Sequence, residues 1–477
     1  MFQNVQQIQD FIRQNGIAFL DFKMIDLRGR WKHLSIPAAR FNEDIMTHGI
    51  GFDGSNYGYA QVERSDMVFL PDITTAVVDP FVKAPTLTMI GDVMVIDHPA
   101  NRPFDQYPRN VAKSAIAHMQ ALGVADEMII GPEYEFHVFD GMTRTLRPDA
   151  VGYRLQCSES VWSAGEFPNN GFHTGPHDGY HADLPGDRTF DLRNQICLEL
   201  AKWGRGRRVS PPRGRRLRPA GDRGRAGRDD PSGRRHDGRE IRHPQYGRRE
   251  RHDGHTDAEA HLRRGRQRHA RTHAPAQNGQ PVFYDPDGYG QLSRTAMTFI
   301  GGLLTHARSL CAITNPQHEF LQAPLIPGSR PLSPSAMHAM ANRSAVVRIP
   351  AYVKSPDKKR FELRNPDAMC NPYFAYAAIL MAGLDGIEHE IDPAGRGWGR
   401  LTSISSTSRQ TSASASATCP PASTKRSTRW KRITTISRAT ACSRCRCSRR
   451  FVKTLRADAQ EISRIPHPAE FDRYFDL

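Results

Sequence analysis

A chain of 477 residues, 38% of them hydrophobic, is long enough for a sizeable core and for more than one domain. A formal charge of +16 would suggest nucleic acid or an anionic surface as partner, but residues 1–200 mix acidic and basic side chains evenly and the excess of Arg is concentrated in 205–271. No apolar run approaches a membrane span, since "AMTFIGGLLTHARSLCAI" is broken by His306 and Arg308, and the opening "MFQNVQQIQDFIRQNG" has no secretory pattern.

In chain order, Val5, Ile8, Phe11 and Ile12 have helical spacing and predict a short amphipathic helix. "IAFLDFKMIDLRGRWKHLSI" alternates like two strands joined at Arg28-Gly29, and "TLTMIGDVMVID" reads as another strand pair. Pro and Asn clustering in "HPANRPFDQYPRN" marks a domain boundary near residue 100. A helix in "VAKSAIAHMQALG" and a strand in "MIIGPEYEFHVFD" follow. Far downstream, "NPYFAYAAILMAGLDGI" predicts a helix capped by Asn371, with Pro372 in its first turn. Cys157, Cys197, Cys311 and Cys370 are scattered, which suits a reduced cytoplasmic protein better than a disulfide framework.

Two long segments lack this order. Residues 204–276 sustain neither helical nor strand periodicity, and 401–450 are dominated by Ser, Thr and Arg. Taken alone they read either as disordered linkers or as basic nucleic-acid arms. Both readings sit badly with the well-patterned chain on either side.

The chemistry lies in the patterned parts. In "GPEYEFHVFD" a strand places Glu133, Glu135 and His137 on one face. Close carboxylates repel unless a cation sits between them, so the choice is between a divalent-metal site and an edge strand with a solvated face. "KKRFELRNPD" puts Arg360, Glu362 and Arg364 on one face and Phe361 and Leu363 on the other. This is either a surface ladder of small consequence or a carboxylate flanked by guanidinium forks for phosphate and carboxylate groups. "NRSAVVRIP" adds Arg343 and Arg348, and "GFDGSN" sets Asp53 in a tight turn. An acidic cation site with several Arg is what phosphoryl transfer to a carboxylate requires.

Together "GFDGSN", "ERSDMVFLPD", "GPEYEFHVFD", "NRSAVVRIP", "FELRNPDAMCNPYFAYAAILMAGLDGI" and the closing "RIPHPAEFDRYFDL" resemble the prokaryotic-type (type I) glutamine synthetases. The resemblance implies an α+β fold: a small N-terminal β-grasp domain over 1–103, then over 104–477 a larger catalytic domain with an antiparallel curved sheet flanked by helices. It implies ATP-dependent joining of ammonia to L-glutamate through a γ-glutamyl phosphate, two Mg2+ or Mn2+ ions per site, and a ring-shaped homo-oligomer, a dodecamer in the family, with sites between adjacent subunits. Carried over by position, Glu133, Glu135 and Glu362 are expected metal ligands, and Asp53 the acceptor of a proton from ammonium. Arg343 and Arg364 would hold substrate carboxylate and developing phosphate charge. Arg348 and Arg360 would contact the nucleotide. The rival readings are a related γ-glutamyl–amine ligase and an inactive, basic nucleic-acid-binding relative.

Several family strings are missing, and the gaps coincide with the odd segments: 204–276, about 317–341 and about 394–460. A reading-frame slip accounts for them. "DAEAHLRRGRQRHA" (Asp257–Ala270) can be encoded so that skipping one base yields "MPKPIFGEDGSGMH", and "SPPRGRRLRPAGD" (Ser210–Asp222) allows "HHHEVAGCGQPEI". Off-frame reading of GC-rich DNA also explains why no Lys occurs between Lys202 and Lys354. Translated literally, the chain lacks two acidic ligands and a His ligand that the resemblance implies, so its activity is expected to be impaired. "CSRCRC" (Cys442–Cys447) lacks a second ligand pair and carries no zinc site.

Overall fold

The structure, a computed structural model, describes residues 2–136, 138–147, 150–158, 160, 162, 173, 183–184, 186–202, 265–277, 280–315, 338–341, 345–366, 370–396 and 398. The chain divides into two compact units. One comprises Met1–Gly131 and all of the described residues from His269 onward; the other begins at Pro132.

The first unit starts with α1 (Val5–Asn15), whose Asn4 side chain accepts from Gln7 N at 2.9 Å. It buries Val5 and Ile8, as the spacing predicts. β1 (Phe19–Ile25) and β2 (Trp31–Pro37) pair antiparallel around a turn closed by Asp26, whose carboxylate accepts from Arg28 N and Arg30 N, both at 2.9 Å. After α2 (Glu43–His48) come β3 (Ile50–Asp53), β4 (Asp66–Pro71), β5 (Val77–Val78), β6 (Thr86–Val95) and β7 (Arg102–Pro103). The sheet order is β2-β1-β6-β4-β3, with β1 and β6 parallel at its centre, as in a β-grasp. "TLTMIGDVMVID" was expected to be a strand pair and is instead the single strand β6. Gly91 marks no turn there: a Cβ on it would lie 2.2 Å from Leu70 O, so its bareness admits the neighbouring strand.

α3 (Pro108–Ala121) follows, then β8 (Glu127–Phe136), which contains the expected "GPEYEF" strand. In the second unit β9 (Gly141–Arg147) and β10 (Ala150–Gln156) form an antiparallel hairpin, and α4 spans Phe190–Leu200.

Back in the first unit, β11 (Gly265–Gln277) and β12 (Gln280–Pro281) lead into α5 (Arg294–Thr305) and α6 (Ala307–Thr314). β13 (His338–Met340), β14 (Val347–Ile349), β15 (Arg360–Leu363) and α7 (Pro372–Glu388) complete it. The strands run in the order β12-β11-β15-β14-β13. β15 is antiparallel to β11 and β14, but β13 and β14 are parallel, so the expected antiparallel sheet is in fact mixed. β11 lies inside a stretch whose side chains show no strand periodicity. Its pairing is a backbone matter: the buried edge of β15 needs partners for its N–H and C=O groups whatever sequence supplies them.

α7 begins where predicted, with Asn371 Oδ1 accepting from Tyr373 N at 3.1 Å and Phe374 N at 3.4 Å. The same side chain donates from Nδ2 to Asp26 O at 3.0 Å, joining the cap to the β1–β2 turn. α7 packs on α5 at very short range: a Cβ on Gly302 would stand 2.0 Å from Ala382 O. No single helix among the described residues is long and apolar enough to cross a membrane; α5 and α6, bent by 73°, are largely buried in the core. Cys157, Cys197 and Cys370 are outside any disulfide, whereas Cys311 is disulfide-bonded, against the expectation that all four are reduced.

Candidate anion-binding site on the catalytic sheet

β15 carries alternating residues to two different environments. Phe361 and Leu363 enter the core, where the Phe361 ring lies 5.7 Å from Phe283 and 5.8 Å from Phe299. The other face holds Arg360 and Glu362, and Arg364 follows the strand. All three are buried, at 7%, 1% and 4% exposure, which rules out a solvated surface ladder. Opposite Glu362 on β14 stands Arg348, also buried, whose Nη1 donates to Glu362 Oε2 at 2.8 Å. Among the described residues Arg348 Nε has no hydrogen-bond partner. A buried guanidinium with an N–H to spare is a ready donor for an anionic ligand.

Two further groups border this cluster, and neither was singled out in the sequence. The Tyr352 ring, more than half exposed on the turn after β14, has the Arg348 Cζ 5.8 Å and the Arg360 Cζ 6.0 Å from its centroid. Lys359 is buried and donates to Val353 O at 3.0 Å and Gln291 Oε1 at 3.2 Å. Burial, reinforced by the nearby Lys354 charge, pulls its pKa below that of an ordinary lysine. Their only sequence signal is proximity to "RIP" and "FELR"; nothing in the local pattern sets Tyr352 apart from any loop aromatic.

Asp53 occupies the end of β3 and caps a short helical turn. Its carboxylate accepts from Ser55 N at 2.8 Å and Asn56 Nδ2 at 2.9 Å. The hydrogen bond from the Ser55 side chain, then that from its backbone, hold its pKa below the ordinary carboxylate value at a fully open position. Its hydrogen bonds run to its own turn and to Ser65, not to the Arg348–Glu362 cluster. Glu133 and Glu135 both fall on β8. Arg343, His137, residues 204–264, the Cys442–Cys447 cluster and the closing "RIPHPAEFDRYFDL" lie outside the described residues.

No group of three His, Cys, Asp or Glu side chains able to hold an ion occurs among the described residues, and Glu362 is already engaged with Arg348. That cluster is one carboxylate among guanidinium groups, so its described members favour an anion.

The sequence and the fold can both be matched to known proteins. Residues 16–96 match the model of the glutamine synthetase beta-Grasp domain, and 105–210 and 263–474 match that of the glutamine synthetase catalytic domain. Among curated relatives, a glutamine synthetase of Streptomyces filamentosus is 34% identical over 419 residues, 83% of each chain. A 3-hydroxylaminophenol mutase of Cupriavidus pinatubonensis is 33% identical over 415 residues, 82% of this chain and 83% of that one. In solved structures the fold is shared with a Plasmodium falciparum glutamine synthetase (TM-score 0.72, 15% identity, 99% of each chain). It is shared as well with GmaS without ligand (TM-score 0.63, 21% identity, 98% of this chain and 99% of that one). By both domains and by these relatives, the chain belongs to the glutamine synthetase family.

Proposed function

We propose that this chain derives from an ATP-dependent carbon–nitrogen ligase that joins ammonia to the side-chain carboxylate of L-glutamate through γ-glutamyl phosphate, and that the literal polypeptide performs this reaction poorly. The observation that carries the reading is the buried guanidinium group around Glu362, with an Arg348 N–H left for an anion, on a sheet of this family's fold. Phosphoryl transfer gives the protein little covalent work; positioning and charge stabilisation dominate, and buried Arg side chains do both. Arg348 and Arg360 would hold the nucleotide phosphates. Arg364 and Arg343 would hold the glutamate carboxylate and the charge that develops on the transferring phosphoryl group. Glu133, Glu135 and Glu362 would ligate the Mg2+ or Mn2+ that neutralises phosphate charge when bound. Asp53, kept ionised, suits attracting an ammonium cation before its proton is given up. The homo-oligomeric ring and cytoplasmic location follow as part of the same reading.

A second reading has its own support: the same framework carries a relative named as a mutase, so family membership leaves the acceptor open. The test is to assay this chain beside one with the reading frame restored, using ATP and glutamate with ammonium, ethanolamine or polyamines, and to quantify glutamine and phosphate. Glutamine formed by the restored chain with ammonium preferred, and a much lower rate for the literal chain, is the expected result. A preference for an organic amine overturns the ammonia assignment, and absence of any γ-glutamyl product from the restored chain overturns the ligase.

A further inference from the structure

We infer that Lys359 is a positioning residue for the anion site: its buried ammonium moors the connection between the two Arg-bearing strands, β14 and β15, to the loop ahead of α5. This rests on the reading of Arg348 and Arg360 as nucleotide-phosphate contacts. Lys359 is only 2% exposed, yet its Nζ donates to two neutral oxygens, Val353 O at 3.0 Å and Gln291 Oε1 at 3.2 Å. Among the described residues it meets no carboxylate. A buried ammonium without a counter-ion is a poor device for stability, since an apolar side chain of similar length would fill the same space without losing hydration. What it supplies instead is a point of attachment. The connection runs over residues 350–359, from the end of β14 to the start of β15. It carries the Tyr352 ring, near both guanidinium groups, and the Lys358 carbonyl, which accepts from Arg360 Nη1 at 3.2 Å. Lys359 Nζ reaches back across it to Val353 O and outward to Gln291. Gln291 is held at φ 60°, a left-handed conformation that a residue with a side chain seldom adopts, so its surroundings constrain where its amide points. Loosening the mooring shifts the connection, and with it contacts of both Arg348 and Arg360. The ammonium is buried, so it acts through them rather than on the ligand.

The test measures inorganic tripolyphosphate binding by titration calorimetry, together with thermal midpoints, for the full chain, Lys359→Met, Gln291→Met and the double variant. Lys359→Met keeps most of the side-chain length and loses the ammonium; Gln291→Met removes one acceptor and leaves every charge in place. Lys359→Met should weaken tripolyphosphate about tenfold, and Gln291→Met should weaken it by less. The double variant should bind as Lys359→Met does, because both changes cut the same attachment. The midpoint of Lys359→Met should hold or rise, a split that a merely structural lysine would not give. Unchanged affinity in Lys359→Met overturns the inference, as does a fall in midpoint alongside the fall in affinity. Gln291→Met binding as the parent does, or additive losses in the double variant, would assign the effect to the lost charge and also overturn it. Failure of the unsubstituted chain to bind tripolyphosphate overturns the phosphate reading of the two Arg and this inference with it.

Discussion

Arg348 and Glu362 face one another across two antiparallel strands, joined at 2.8 Å and both withdrawn from water. An exposed pair of this kind contributes little, but removing one member of a buried pair leaves an uncompensated charge. Glu362→Ala should therefore destabilise the protein by roughly 3–5 kcal/mol, and Glu362→Gln, which keeps an acceptor, by less. Adding Arg348→Met to Glu362→Ala should restore much of the loss. Urea unfolding of the parent, both single variants and the double variant measures the coupling, and strictly additive losses would show that the pair is not coupled.

The contact between α5 and α7 depends on missing side chains. A Cβ on Gly302 would meet Ala382 O at 2.0 Å and Gly386 Cα at 2.8 Å, backbone atoms that cannot rotate aside. Gly302→Ala should cost at least about 1–3 kcal/mol by forcing the helices apart, although alanine is the better helix former. Gly51→Ala is the control, since a Cβ there meets nothing within 4 Å. Equal thermal midpoints for the two variants would show that the helices adjust without cost.

Much of this was legible in the sequence. Alternation separated Phe361 and Leu363 from Arg360 and Glu362, and Asn371-Pro372 announced the start of α7. What was not legible depends on neighbours distant in the chain. Whether Arg–Glu–Arg is a surface ladder or a buried site is decided by the strands on either side of β15, not by the residues themselves. Gly91 looks like a turn until β4 lies against it, and β11 forms through backbone pairing that side-chain periodicity does not report. Tyr352 borders the site only because two Arg, four and eight positions away, end near its ring.

Asp385 on α7 accepts from His306 Nε2 at 2.7 Å, where α5 gives way to α6. That hydrogen bond first, with the positive groups of His306, His389 and Arg396 adding to it against the opposing effect of burial, holds the carboxyl below its ordinary value. A folded-state pKa below the unfolded one means the stabilisation is complete above about pH 3.9 and is lost as pH falls through the folded value. Asp385→Asn should lower the thermal midpoint at neutral pH and flatten its decline below about pH 4. Parallel midpoint-against-pH curves for parent and variant would show that Asp385 carries none of the acid sensitivity.

The Arg-rich stretch makes a prediction about the DNA rather than the fold. The catalytic-domain match breaks off at residue 210 and resumes at 263, within the segment where a one-base shift returns "HHHEVA" and "GSGMH". Reading both strands from the codon of Trp203 to that of Pro281 should reveal an extra or missing base. Tryptic peptides of the protein from its source cells should then contain "PIFGEDGSGMH" in place of the run Asp257–Ala270. The restored segment would return acidic and His side chains to a site whose described members are one carboxylate and several guanidinium groups. If the bases stand and the Arg-rich peptides are found, the gene has decayed: the polypeptide keeps Glu133, Glu135 and Glu362 but lacks the remaining expected ligands, and its nucleotide affinity should then respond only weakly to Mg2+.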